Sequence, residues 1–525
     1  MPRNSPTRRM SVLAAPGVTW YHSGMEYAIA ILDVGKTNKK LLVFDDHLQL
    51  LDSMYRTFPP IKHNGVPIED LEGLLAWFFE QLKALAGKYP IRAIACSTHG
   101  AAFVGVDEQG RQTVPLVDYT YEPGEDFHRR FYEQVGDKHE LQRTTATLEL
   151  KALINPAKAL FFVQSQFPDE FARTRWFLPF PSFFSMQLTG EAAAEWTYVG
   201  NHTYLWDFHE NRWSQVAERL GIVEQLPQRI ERPWQRLGAL RPELASELGL
   251  SRETVVPFGI HDSNASLLPY LLNEREPFLL NSTGTWCVVM RPAAQVQFAE
   301  SEIGKSVFYN LSAFGRPVKT AILMAGLEFE TYTGILRSLH GTDRFPDFDP
   351  EVYRRVIEAR SDFILPSIVM GSGQFPDAQP RVTTNGETYP FEEIRAGTRV
   401  PPFFADFETA FAVLNLSIAI QSKVAFERVE VDAVRNVYTE GGFRNNRDYN
   451  ATMAGLFPQH RFSLTGIAEA SAFGAAMIAK LAHDDSEPEA LRPLLKIDKE
   501  GVPGVELDGL EHYVDTYLRH LIRQT

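Results

Sequence analysis

Two cysteines, Cys96 and Cys287, are all that a chain of 525 residues carries, too few for a disulfide framework and without the spacing of a zinc site. Both sit in apolar, strand-like runs, where free thiols act as small buried hydrophobes, and a reducing, cytoplasmic setting follows. Positive charge is also scarce: 52 Lys and Arg stand against 66 Asp and Glu, a formal net charge of −14. That balance excludes a nucleic-acid-binding surface as the main business of the protein, so an anionic ligand must be held locally by backbone amides, single cations or a metal. No uninterrupted apolar stretch has the length a membrane span needs. Residues 1–25 carry Arg3, Arg8 and Arg9 ahead of a small apolar patch that Pro16 interrupts; the patch is too short for a signal core, and the segment reads as a mobile leader. Missing too are Gly-x-x-x-x-Gly-Lys-Ser/Thr, and Gly-x-Gly-x-x-Gly after a first strand, which excludes a P-loop nucleotidase as the template.

What is present is a soluble globular composition, 44% hydrophobic and 22% charged, in a chain too long for one core, so two domains are expected. A continuous apolar run at 27–32, a polar loop and a second run at 40–44 predict a strand hairpin. An amphipathic pattern over 71–88 predicts a helix, and 91–96 a further strand. Strands alternating with helices indicate an α/β domain. The second half opens in the same way, strand, small polar loop, strand over 278–290, followed by a long helix over 404–429 and a strand at 436–439. Duplicated architecture follows, with the boundary near 262–270. The charged, proline-interrupted stretch 482–505 reads as a connector to a terminal helix at 510–523.

The most informative segment is Phe258-Gly259-Ile260-His261-Asp262-Ser263-Asn264. It sets one carboxylate in a small-residue environment directly after an apolar strand, where a general base can be held rigidly against a substrate hydroxyl. The same Asp262 could instead cap the helix that begins near Ser263. Three loops offer phosphate or nucleotide chemistry. In Asp33-Val34-Gly35-Lys36-Thr37-Asn38-Lys39-Lys40, Gly35 permits close backbone approach, Thr37 and Asn38 offer donors, Lys40 supplies charge, and Asp33 can order a magnesium ion through water; an ordinary hairpin turn is the alternative. Thr283, Gly284 and Thr285 repeat that chemistry. Gly441 and Gly442, with Asn445, form a strand-to-helix turn on whose bare backbone a flat ring such as adenine can lie.

These elements, in this order, resemble the FGGY family of carbohydrate kinases in the actin-like ATPase superfamily. The resemblance runs from about residue 25 to 480 and rests on the loop at 33–40, Ser97-Thr98-His99-Gly100, Gly259-Ile260-His261-Asp262, the loop at 281–286 and the loop at 441–445. Within the family, those motifs with Leu116-Val117-Asp118-Tyr119 and the run around Trp196 and Trp206 are similar to rhamnulokinases of the alphaproteobacterial type. Lys36 departs from the threonine that many members carry. The resemblance implies two ribonuclease-H-like domains around a cleft, 26–265 binding sugar and 266–482 binding ATP, with 483–525 as connector and terminal helix. It implies Asp262 as the base for a sugar hydroxyl; His99, Gly100, Asp118 and His261 as sugar-side residues; and Asp33, Gly35, Lys36, Thr37, Asn38 and Lys40 on the phosphates. It also implies ATP with magnesium, Asp262 being a further candidate to meet the ion. The expected partner is a small ketose, with a homodimer allowed. A buried histidine satisfied by backbone is the alternative for His99, and an idle loop the alternative for Asp118.

Overall fold

The computed structural model describes residues 25–369 and 371–522; the expected leader lies, apart from Met25, outside the described residues. β1 (Ala28–Val34) and β2 (Asn38–Asp45) form the first hairpin, pairing Asp33 with Lys40 at its closed end. β3 (Leu50–Thr57) adds outside β2. α1 (Leu71–Ala86), capped by the Asp70 carboxylate on Gly73 N, leads into β4 (Ile91–Thr98), which runs parallel to β1. β1 is buried along its whole length, which is why it reads as an unbroken apolar run rather than an alternating one. β5 (Arg236–Ala239) and β6 (Val255–Pro257) complete this sheet, and the pair Ile260–His261 continues beside the end of β4, His261 opposite Thr98. α2 (Asp262–Asn273) starts there.

The second sheet contains β7 (Phe278–Thr283), β8 (Cys287–Pro292), β9 (Val307–Leu311), β10 (Pro317–Leu323), β11 (Asn436–Gly441), β12 (Arg461–Thr465) and β13 (Lys499–Gly501). Its order, β10-β8-β7-β11-β12, repeats β3-β2-β1-β4-β6 of the first sheet: an antiparallel hairpin whose first strand has a parallel neighbour on its other side. The duplicated architecture is thus present in the topology. β13 pairs with β12 at the edge, so part of the stretch expected as a connector is a strand of this sheet.

α3 (Phe407–Arg428) is buried on every side from Ala410 to Ser422, as a helix inside a core is. Its length and composition suit a membrane span, yet 83% of its apolar window is buried within the protein. α4 (Ala470–Asp484) follows the second sheet in sequence but packs on the first, where Ala472, Ala475 and Ala479 meet Ile29, Ile31 and Ala95. A boundary at 482 therefore assigns to one domain a helix that covers the sheet of the other. α5 (Leu510–Ile522) sends Tyr513 and Tyr517 into the second core against Phe363.

Candidate active site

Both sheets end on one cavity of about 530 Å³, lined from the first domain by strand ends and from the second by the loop after β7 and the start of α4. Asp262 lies on its wall. The N-cap of α2 is His261, so Asp262 is the first helical residue, and its Oδ1 accepts from Ser263 N at 2.6 Å. The side chain keeps 29% exposure. Burial pushes its carboxyl above the ordinary range, against the opposing pull of His99, Ser263 and Lys40.

His261 is fixed on three sides. Its amide donates to Thr197 Oγ1 at 3.0 Å, and its Nδ1 and Nε2 lie 3.1 Å and 2.9 Å from the side-chain amides of Asn264 and Asn201. Nε2 is also 3.2 Å from Asp262 Oδ1. Burial, reinforced by His99, pushes this imidazole down to about 3, so it packs beside Asp262 as a neutral ring at physiological pH.

His99 leaves the end of β4 with Nδ1 only 2.6 Å from the Gly100 carbonyl. A carbonyl can only accept, so Nδ1 carries the proton and Nε2 is the lone-pair acceptor. Nε2 is buried and has no partner, the state of an acceptor awaiting a ligand hydroxyl. Gly100 is required by what stands beside it: a Cβ there would lie 2.4 Å from Asn201 Nδ2 and 2.9 Å from His202 Nε2. Asn201 and His202 are the residues that sequence reasoning missed. They sit between the Trp196 and Trp206 motifs, and the adjacency of two side chains rich in donors and acceptors after Gly200 was the available signal.

The first hairpin divides its charges. Asp33 is 2% exposed; Ser471 Oγ donates to its Oδ2 at 2.7 Å, and Oδ1 has no partner. Burial raises its carboxyl despite Lys40 and Ser471. Lys40 Nζ lies 3.6 Å from Asp33 Oδ2 and 2.7 Å from Glu469 Oε2. Lys36 also lines the cavity and is held by two carboxylates. Its Nζ is 2.6 Å from Asp118 Oδ1, 2.8 Å from Glu69 Oε1 and 4.6 Å from the Tyr119 ring centre. The structure therefore ties Lys36 to the carboxylates of its own domain, and Asp118, which also accepts from Thr120, anchors that lysine while Tyr119 lines the cavity. Gly35, Thr37 and Asn38 all line the cavity.

In the second domain Thr283 uses its hydroxyl structurally, donating to the Glu440 carbonyl and accepting from Phe443 N at 2.9 Å. That bond closes the hairpin onto the glycine turn. Gly441, at φ 79°, presses so closely on β7 that a Cβ would lie 2.0 Å from Thr283 O. A second cavity of about 520 Å³ opens beyond, lined by Phe329, Phe345, Phe411, Phe443, Gly442 and Asn445 among others, and it shares Gly284 and Thr285 with the first. Gly441 and Gly442 thus face different cavities. Glu440, buried at the end of β11, lines the first cavity and holds Tyr270 Oη at 2.8 Å; burial pushes it up to about 7.

Two family models match the chain: the N-terminal domain of the FGGY family of carbohydrate kinases over 28–269 and the FGGY C-terminal domain over 275–488. Among curated proteins, a rhamnulokinase of Halalkalibacterium halodurans is 25% identical over 270 residues, covering 50% of this chain and 56% of that protein. One of Oceanobacillus iheyensis is 23% identical over 237 residues, covering 42% and 47%. The matched region spans about half the length of these relatives. Among solved structures, a carbohydrate kinase from Novosphingobium aromaticivorans superimposes with TM-score 0.74 at 24% identity, over 95% of this chain and 99% of that one. A xylulose kinase from Lactobacillus acidophilus gives TM-score 0.72 at 16% identity, over 94% and 96%. At such identities these structures share the fold.

Proposed function

From the premise that this chain belongs to the FGGY family of carbohydrate kinases, we propose that it transfers the γ-phosphoryl group of ATP to the C1 hydroxyl of a ketose. The observation that carries this reading is the position of the Asp262 carboxylate, on one cavity wall with the unpartnered His99 Nε2 and the phosphate-type loops of both domains. The adenine ring would occupy the aromatic second cavity, and the phosphates would pass Gly284 and Thr285 into the first. Asp262 accepts the hydroxyl proton as that oxygen bonds to the γ-phosphorus, and the bond from phosphorus to the ADP oxygen breaks. Phosphoryl transfer asks for alignment and charge neutralisation more than covalent help. His261, held by Thr197, Asn201 and Asn264, packs beside the base and limits its movement.

The donor set fits magnesium: Asp33 Oδ1 is a buried, unpartnered carboxylate oxygen beside the same cavity as Asp262. Asp33, through water, and Asp262 would hold the ion, which neutralises phosphate charge when bound. Lys40, beside Asp33 on the cavity wall, would add a cation to the phosphates.

The favoured substrates are L-rhamnulose and L-fuculose, supported by the curated relatives named rhamnulokinase. A pentulose is the second reading, supported by the neighbour named xylulose kinase. Free, buried Cys96 and Cys287 suit a cytoplasmic enzyme. The test is ADP release from ATP and magnesium across a panel of ketoses. Turnover that depends on one ketose is the expected result; ATP hydrolysis indifferent to any sugar would instead indicate an actin-like switch module.

A further inference from the structure

Away from Asp262 the first cavity is walled by the second domain. Phe308 and Asn310 stand two residues apart on β9 and so point to the same side of the sheet. Both line the cavity, with Ile322 of β10 and Ile154 from the first domain. A chain of contacts shows where this wall lies. Asp262 Oδ1 is 3.2 Å from His261 Nε2, which is 2.9 Å from the Asn201 amide; the next residue, His202, has its ring centre 6.0 Å from that of Phe308. The series leads from the reacting carboxylate to the apolar wall.

Two properties of the wall point to a ligand. Asn310 is 1% exposed and its Oδ1 has no hydrogen-bond partner, a costly state for a buried amide oxygen unless something else donates to it. Beside it Phe308 and Ile322, 1% and 8% exposed, belong to an apolar cluster with Leu148, Leu150 and Ile154. A hydroxyl brought against those side chains would lose water and gain nothing, whereas a methyl group would lose nothing.

We propose that Phe308, Asn310 and Ile322 are specificity-determining residues through which the second domain reads the distal end of the ketose. Asn310 Oδ1 accepts from a sugar hydroxyl, and Phe308 and Ile322, with Ile154, cover the C6 methyl of a 6-deoxy-ketose. This rests on the kinase reading and deepens it. β9 is itself hydrogen-bonded to the first domain, Tyr309 N donating to the Ala146 carbonyl and Leu311 N to the Gly200 carbonyl, so these residues continue the wall that carries Asn201 and His202.

The test compares each 6-deoxy-ketose with its 6-hydroxy counterpart, L-rhamnulose with L-fructose and L-fuculose with L-tagatose, by kcat/KM. The native enzyme should prefer the deoxy member of its pair by about 10²-fold, the usual reach of an apolar pocket against an added hydroxyl. Ile322→Thr should narrow that ratio to about tenfold, with the KM for ATP unchanged. Asn310→Ala should lower kcat/KM about tenfold for both members alike. Phe308→Tyr, nearly isosteric, serves if Ile322→Thr does not fold and should shift the ratio in the same direction. A native enzyme that uses both members equally, or a ratio that Ile322→Thr and Phe308→Tyr leave unmoved, overturns the inference and leaves the kinase standing. ATP-dependent phosphorylation of no ketose at all would instead remove the kinase reading beneath it.

Discussion

The hairpin loops after β1 and β7 share one topology and line one cavity, yet their chemistry differs. The first brings a buried carboxylate, Asp33, to its strand end with one lysine beside it: Lys40 pairs with Asp33 and Glu469, while Lys36 pairs with Glu69 and Asp118. The second carries no charged residue between Ser282 and Trp286; its Thr283 hydroxyl is consumed in closing the turn, and Gly284 and Thr285 are left to face both cavities. Repetition of the backbone placed both loops, while the side chains gave one loop charge and the other bare surface. A loop that buries a carboxylate must offset its charge; a loop of small, uncharged residues permits close approach.

The largest effect that separates the two sides comes from the base. Asp262→Asn should lower kcat by roughly 10²–10⁴, the worth of a positioned base, while isothermal titration shows ATP binding retained; near-normal turnover would return Asp262 to a purely helical role. Because burial raises this carboxyl and the base must be ionised, activity of the native enzyme should fall as pH drops through a value above the ordinary carboxylate range. An acid limb at or below that range would contradict the assignment.

Lys36→Met comes next and tests whether the first loop spends this lysine inside its own domain. Removing it takes the near cation from Asp118 and leaves Glu69 only Lys39, at 3.7 Å, at a cost of roughly 3 kcal/mol in chemical denaturation, and the KM for ATP should hardly move. The Asp118 carboxyl is lowered, burial being outweighed by Lys36 and Thr120. Its contribution to stability is therefore present above the ordinary carboxylate range and lost as pH falls through the lower folded value, so the native and Lys36→Met proteins should converge in stability below that range. A large rise in the ATP constant would mean that Lys36 serves the phosphates after all.

Gly442→Val addresses the second loop. A Cβ at Gly442 meets only Thr283 O, at 3.8 Å, so the variant should fold and raise the KM for ATP about tenfold without altering the sugar constant. An effect confined to the sugar would put the loop in the wrong half of the site. The smallest expected effect is coupling: a ketose substrate should tighten binding of a non-hydrolysable ATP analogue about fivefold, with an equal reverse effect, and make the particle more compact in small-angle scattering. Equal nucleotide affinity with and without the sugar would rule out closure as the link.

Local signals were enough for the strand hairpins, α1, the long apolar α3 and the glycine turn at 441–442, because periodicity, apolar runs and glycines report backbone state directly. They also singled out Asp33, His99 and Asp262, each at a strand end, where rigid backbone presents a side chain to solvent or ligand. Only the tertiary structure decided what those groups face. Lys36 and Lys40 are four residues apart and alike in sequence, but their partners, Glu69 and Asp118 for one and Glu469 for the other, are brought up by distant segments. The same is true of Asn310, a polar residue with no local pattern to distinguish it from a surface position, of Asn201 and His202, whose adjacency after Gly200 is a signal that names no partner, and of α4, whose small residues show a close-packed helix without showing that its sheet is the first rather than the second. Backbone preferences act over a few residues and are written in the chain; charge pairing, burial and ligand contact depend on what folding brings near, and no local spacing encodes that.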